Sequence, residues 1–173
     1  SVQKSYPQSV PAFLTALRMK GETLDELVGL ASVLRDKAET IAPEAENYVD
    51  LVGTGGDCTY TFNVSTTSAG DVLEALGVNI MAEPELVKKC VDEVGIGFMF
   101  AQLFNKSMKY VGQARKEMEI RTVFNILGPL ANPSRAKNMV VGVYSPKLTE
   151  QVAKAMARLG VERAFVVSGA DHM

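Results

Sequence analysis

Asp50 to Asp57 reads DLVGTGGD, and within it Gly53, Gly55 and Gly56 fill three of four positions directly behind the apolar pair Leu51 and Val52. Glycines gathered this way remove the side chains that keep a ligand off the backbone, so successive N–H groups can converge on one anion. Thr54, Asn63, Ser65, Thr66 and Thr67 bring hydroxyl and amide donors to the same stretch. The chemistry implied is phosphate binding. Asp57 qualifies it, because a carboxylate repels a bare phosphate unless it takes a cation or a sugar hydroxyl. The pattern therefore favours a sugar phosphate accompanied by Mg²⁺. GTGGD lacks both the Lys-Ser/Thr ending of a P-loop and the G-x-G-x-x-G order of a dinucleotide site. A tight turn without ligand would use the same glycines, and the residues alone leave that alternative open.

Nucleophilic catalysis has no candidates in the chain. The single histidine, His172, stands beside Asp171, and no Ser-His-Asp or Cys-His set can be assembled around it. Cys58 and Cys90 are far apart and lack C-x-x-C pairing, which reads as reduced structural thiols. The 173 residues, 47% hydrophobic and 22% charged, are enough for a globular core of ordinary size. A net charge of -2 with dispersed lysines gives no footprint for a polyanion and argues against nucleic acid as the main ligand. No apolar run approaches the roughly 18 to 20 residues of a membrane helix. SVQKSYPQSV lacks the charged-then-apolar order of a signal peptide, so a cytoplasmic protein is expected.

These groups need elements to hold them. Val10, Phe13, Leu14 and Leu17 recur at helical spacing up to Lys20-Gly21. Thr23 with Glu26 forms a capping box ahead of a second stripe, Leu24, Leu27, Ala31, Leu34 and Ala38. Pro43 and EAEN mark a linker, so a boundary is expected near Asn47, between a helical domain (1–47) and an α/β domain (48–173). Beyond it, YVDLV predicts a strand, AGDVLEALG and EPELVKKCVDEV predict helices, and IGFMFA predicts a buried apolar strand. RTVFNILGPLANP, punctuated by Gly128, Pro129 and Pro133, reads as a rigid turn between domains. NMVVGVY, then a helix face of Leu148, Val152, Ala155, Met156 and Leu159 capped by Gly160, then RAFVVSG, makes a βαβ crossover. A largely parallel sheet follows.

DLVGTGGD, TFNVSTTSA, GDVLEALG and RKEMEIRTVFNILGPLANP, in this order, resemble the anthranilate phosphoribosyltransferases. The likeness runs from AFLTALRMKGET to the C-terminus, and the glycine motif together with FNILGPLANP is far more specific than either alone. It implies a small helical domain packed on a larger α/β domain with a largely parallel sheet, the active site in the cleft between them, and some helices within 84–133 returning to the small domain. It implies transfer of the phosphoribosyl group from phosphoribosyl pyrophosphate to anthranilate, in tryptophan biosynthesis. By the resemblance Gly53, Gly56, Asp57, Thr61, Asn63, Val64, Ser65 and Thr66 contact phosphoribosyl pyrophosphate, Ser65 ligates Mg²⁺, and Gly53 and Arg115 contact anthranilate. On residue type alone Arg115 would be a solvated helix arginine. A homodimer through the helical domain is also implied.

Displacing pyrophosphate from a ribose C1 needs no protein nucleophile, only positioning and stabilisation of the leaving group, which agrees with the missing triad. The chain departs from the family in two ways. Asn105 stands at the position of a common histidine, where an amide can still donate a hydrogen bond. Between Ser68 and Ala69 the family carries about one helix, one strand and a basic glycine-serine loop, and an acidic magnesium-binding pair is expected past Met173. A parallel strand cannot fit at that junction, because a crossover takes roughly ten or more residues. A pyrimidine nucleoside phosphorylase would need a lysine-containing glycine motif, and the nucleic-acid-binding branch of the fold would need a basic surface. Neither feature is present.

Overall fold

The computed structural model describes residues 8–54 and 69–169. Helix α1, Ser9–Lys20, buries Leu14 and Leu17 and stops at Gly21, whose φ of 83° suits glycine and whose N–H reaches Leu17 O at 2.9 Å. Helix α2, Leu24–Lys37, opens on the expected capping box. Thr23 Oγ1 accepts from Glu26 N at 3.2 Å, and the Glu26 carboxylate accepts from Thr23 N at 2.9 Å.

The strands β1 (Val49–Gly53), β2 (Asn138–Gly142) and β3 (Arg163–Val167) form a three-stranded sheet in that order, parallel throughout. Numbered along the chain, α3 is Ala69–Ala75, α4 Pro84–Val94, α5 Ala101–Phe104, α6 Lys109–Met118, α7 Phe124–Leu130 and α8 Thr149–Arg158. Helix α8 makes the β2–β3 crossover and buries Val152, Ala155 and Met156, as the spacing predicts. One core joins these to Leu14 and Leu17 of α1, Leu27 and Ala31 of α2, Leu127 and Leu130 of α7, and Met139 and Val141 of β2. The opposite sheet face carries a cross-strand row, Leu51, Val140 and Phe165, in which Leu51 is 63% and Phe165 is 73% exposed.

Two expectations are corrected. IGFMFA is not a strand. Gly95 caps α4 in the left-handed conformation and turns the chain back along that helix. A Cβ on Gly97 would lie 2.6 Å from Val91 Cγ2 and 3.2 Å from Val87 O, so the segment is pressed on α4 and cannot pair in the sheet, and Ile96 is exposed. RTVFNILGPLANP is not a turn either, since it contains α7 with Pro129 inside it. The Asn125 side chain accepts from Thr122 N at 2.9 Å at the start of this helix, and burial of Ile126, Leu127, Pro129 and Leu130 holds it in the core.

Arg35 ties the layers together. Buried on α2, it donates from Nε to Leu130 O at 2.6 Å and from Nη1 to Leu159 O at 2.7 Å, at the ends of α7 and α8. Carbonyls at a helix C-terminus lack intrahelical donors and carry partial negative charge, so a guanidinium satisfies both needs. Arg35→Met should lower stability by about 2–4 kcal/mol, because one buried and one half-buried carbonyl lose charged donors. Urea unfolding measures this, and Arg35→Lys, which lacks the fork, should recover only part of the loss.

Candidate active site

At the carboxyl end of β1 a mostly apolar cavity of about 400 Å³ opens between the sheet, the segment along α4 and the helices α5 to α7. Ligands of parallel α/β folds bind at such strand ends. The β1 residues Asp50 to Gly53 form one wall, Gly97, Phe98 and Met99 a second, Asn105 and Arg115 a third, and Ala131 to Pro133 the floor beyond α7. Gly53 leads into Thr54, whose N–H reaches Gly142 O at 2.8 Å and whose Oγ1 accepts from Tyr144 N at 3.2 Å.

Of the residues named from the sequence, Gly53 and Arg115 meet in this cavity, and Asn105 joins them. Gly56, Asp57, Thr61, Asn63, Val64, Ser65 and Thr66 lie outside the described residues, as do Cys58 and His172. Among the described residues no three His, Cys, Asp or Glu side chains converge to hold a metal.

Arg115 sits in the last turn of α6, behind the fully buried Ala114. Its guanidinium lies 5.6 Å from the centre of the Phe124 ring. Burial depresses its pKa, and among the described residues it has no carboxylate partner. A half-buried, unpaired guanidinium in an apolar cavity is built to take a planar anion. Arg121, six residues on, stacks instead on Tyr144 at 4.3 Å, and its carbonyl accepts from Arg18 Nη1. Asn105 has a buried amide oxygen without a partner among the described residues.

Asp50 was not singled out by the sequence reading. Asp50 lines the cavity, and its Oδ2 accepts from Asn132 Nδ2 at 3.0 Å. Asn132 is itself buried, with Oδ1 accepting from Ser134 N at 2.8 Å and Ser134 Oγ at 2.9 Å. Burial pushes the Asp50 pKa up to about 6, partly opposed by a hydrogen bond from the backbone of Leu51. The signal was present: an acid inside the apolar run YVDLV, on the same strand face as Val52.

Residues 69–173 match the family described as "Glycosyl transferase family, a/b domain", and residues 10–38 match "Glycosyl transferase family, helical bundle domain". The chain belongs to this glycosyl transferase family. Within it, the chain is 48% identical to the anthranilate phosphoribosyltransferase of Acetivibrio thermocellus, over 98% of this chain and 56% of that protein. It is 44% identical to that of Moorella thermoacetica, over 96% of this chain and 56% of the relative. Among solved structures, the anthranilate phosphoribosyltransferase of Thermus thermophilus superposes with a TM-score of 0.85 at 36% identity, covering 92% of this chain and 56% of that one. The Saccharomyces cerevisiae enzyme in complex with PRPP and Mg gives 0.82 at 30% identity, covering 95% and 52%. The chain thus spans about half the length of the curated relatives it matches. The first alignment runs over 194 residues against the 173 present here.

The Asp50 carboxyl gives a pH signature. In the folded chain it holds its proton up to about pH 6, against 3.8 for an ordinary aspartate, so between these values the native state binds more protons. Stability should therefore fall as pH rises through that window, by up to about 3 kcal/mol. Asp50→Asn should flatten the dependence and raise stability at pH 7 by about 1–3 kcal/mol, as read from urea midpoints across the range.

Proposed function

We propose that the protein is an anthranilate phosphoribosyltransferase, which joins the amine of anthranilate to C1 of phosphoribosyl pyrophosphate and releases pyrophosphate. The observation that carries this reading is the pairing of Gly53 with an unpaired Arg115 in one apolar cavity at the end of a parallel strand. The fit to the acceptor is chemical. An aromatic carboxylate would place its ring among Phe98, Met99 and Met108 and its acid on the guanidinium, a charge-assisted fork. The sugar phosphate lies with the glycine run: Gly53, Gly56, Asp57, Thr61, Asn63, Val64, Ser65 and Thr66. Ser65 would hold Mg²⁺, which would supply positive charge to stabilise the departing pyrophosphate.

The known proteins support the same assignment. The S. cerevisiae relative has been solved with PRPP and Mg, and also with 4-fluoroanthranilate. In this reading a helical domain ends near Asn47, and the protein is a cytoplasmic homodimer, for which the exposed Phe13 and Met19 of α1 offer apolar surface. Sedimentation of the complete gene product distinguishes dimer from monomer.

Loss of anthranilate fluorescence, dependent on phosphoribosyl pyrophosphate and Mg²⁺, tests the activity on the complete gene product. Arg115→Ala should raise the anthranilate KM about tenfold or more and leave that of phosphoribosyl pyrophosphate nearly unchanged. An equal loss for both substrates would assign Arg115 to folding instead. Asp57→Asn and Ser65→Ala should weaken phosphoribosyl pyrophosphate and shift the Mg²⁺ optimum, and unchanged magnesium titrations in both would remove the metal assignment.

A further inference from the structure

The β1–β2 ladder is closed by a side chain. In a parallel pair, a residue that donates its N–H to the neighbouring strand also accepts, through its carbonyl, from the residue two further along that strand. Thr54 keeps the first half of this pattern, donating from N to Gly142 O at 2.8 Å one step past the last register pair, Gly53 with Gly142. The second half would send Tyr144 N to the Thr54 carbonyl. Tyr144 N goes instead to the Thr54 side chain, whose Oγ1 accepts it at 3.2 Å. A hydroxyl oxygen has taken the place of a main-chain oxygen. The donor is satisfied and the Thr54 carbonyl is released from the ladder, so the chain can turn away from β2 here while the strand before it stays paired. Tyr144 is a firm anchor for this contact. Its ring packs against the core and carries the Arg121 guanidinium at 4.3 Å, and the Arg121 carbonyl is held by Arg18 of α1.

We propose that Thr54 is a positioning residue for phosphoribosyl pyrophosphate, which fixes the point and the direction in which the chain leaves the sheet by giving Tyr144 N a side-chain acceptor. This rests on the phosphoribosyltransferase reading above, in which that substrate lies with the glycine run. Thr54 is not part of the cavity wall, whereas its neighbour Gly53 is, so it acts by steering the chain and not by touching a ligand. Residue type alone suggests a hydroxyl offered to phosphate, but its oxygen is turned to Tyr144. The need for such a residue follows from the glycines. Glycine populates φ of either sign and sets no direction of its own, so a glycine run takes its course from the residue that holds its end. Without the hydroxyl, Tyr144 N either loses its partner or draws the Thr54 carbonyl back into the ladder. The second outcome lengthens β1 by one residue and redirects everything that follows. Gly53 keeps its own pairing with Gly142 in either case, and Arg115 stands on α6, so the acceptor side of the cavity is spared.

Thr54→Val in the complete enzyme tests the assignment, because valine keeps the branched shape of threonine and removes only the oxygen. Its KM for phosphoribosyl pyrophosphate should rise about tenfold, with the anthranilate KM within about twofold of wild type. Thr54→Ser restores the oxygen and should bring the first KM back to within about threefold of wild type. Hydrogen exchange of the Tyr144 amide should accelerate about tenfold in Thr54→Val and stay near wild type in Thr54→Ser. A Thr54→Val enzyme whose KM for phosphoribosyl pyrophosphate stays within about twofold of wild type overturns the proposal, as does an unchanged Tyr144 amide. An equal loss for both substrates, or a Thr54→Ser enzyme as impaired as Thr54→Val, overturns it too and leaves Thr54 a purely structural role. A wild-type enzyme that turns over no anthranilate overturns the functional reading and this one with it. An active wild type with an unaffected variant overturns this one alone.

Discussion

A guanidinium surrounded by helix ends holds this fold together. Arg35 comes from the second helix, yet its Nε and Nη1 donate to the last carbonyl of α7 and the C-terminal turn of α8. Those helices could pack on α2 through their apolar faces alone, but apolar contact is non-directional and tolerates sliding. Charged hydrogen bonds to two carbonyls fix both the height and the rotation of the contact. The consequence reaches the cavity, because Ala131, Asn132 and Pro133 leave directly from the end of α7. A shift of that helix would move the floor on which Asp50 and Asn132 meet.

The wall formed by Gly97, Phe98 and Met99 depends on a different constraint, the close approach of a glycine to α4. The gap there has no room for a methyl group, since a Cβ would be only 2.6 Å from Val91 Cγ2. Phe104, just beyond, is fully buried with Ile41 and Val87 in a smaller second cluster. That cluster anchors the segment leading to Asn105. Arg115 is set by the next helix, so the two sides of the cavity belong to separately supported elements.

Much of this was legible in the residues where local chemistry decides the conformation. Thr23 with Glu26, Gly21 and Gly160 each act within a turn of helix, and the βαβ unit from Asn138 to Val167 shows its period on both scales. Legibility failed where distant contacts override local signals. IGFMFA has the composition of a buried strand, but Gly95 and the surface of α4 send it elsewhere. Pro129 normally argues against helix, yet the core surrounding α7 outweighs one lost backbone bond. In the site, Gly53 was readable as a strand-end glycine from its motif. Arg115 was indicated by family likeness alone, and its lack of a carboxylate partner among the described residues is visible only in three dimensions. Asp50 went unmarked because a single acid in a strand becomes informative only when the register shows which side it faces.

The N-terminal helices also impose an order on biosynthesis. Arg35 is made 95 residues before Leu130 and 124 before Leu159, and the backbone carbonyl of Glu22 waits 129 residues for Gln151. At a translation rate of roughly 5–20 residues per second, α1 and α2 leave the ribosome about 5 to 25 seconds ahead of their partners. Through that interval Leu14, Leu17 and Leu27 have no core to enter, and the paired helices are marginal on their own. The apolar stripes of α1 and α2 therefore stay open to solvent until α7 and α8 emerge to cover them.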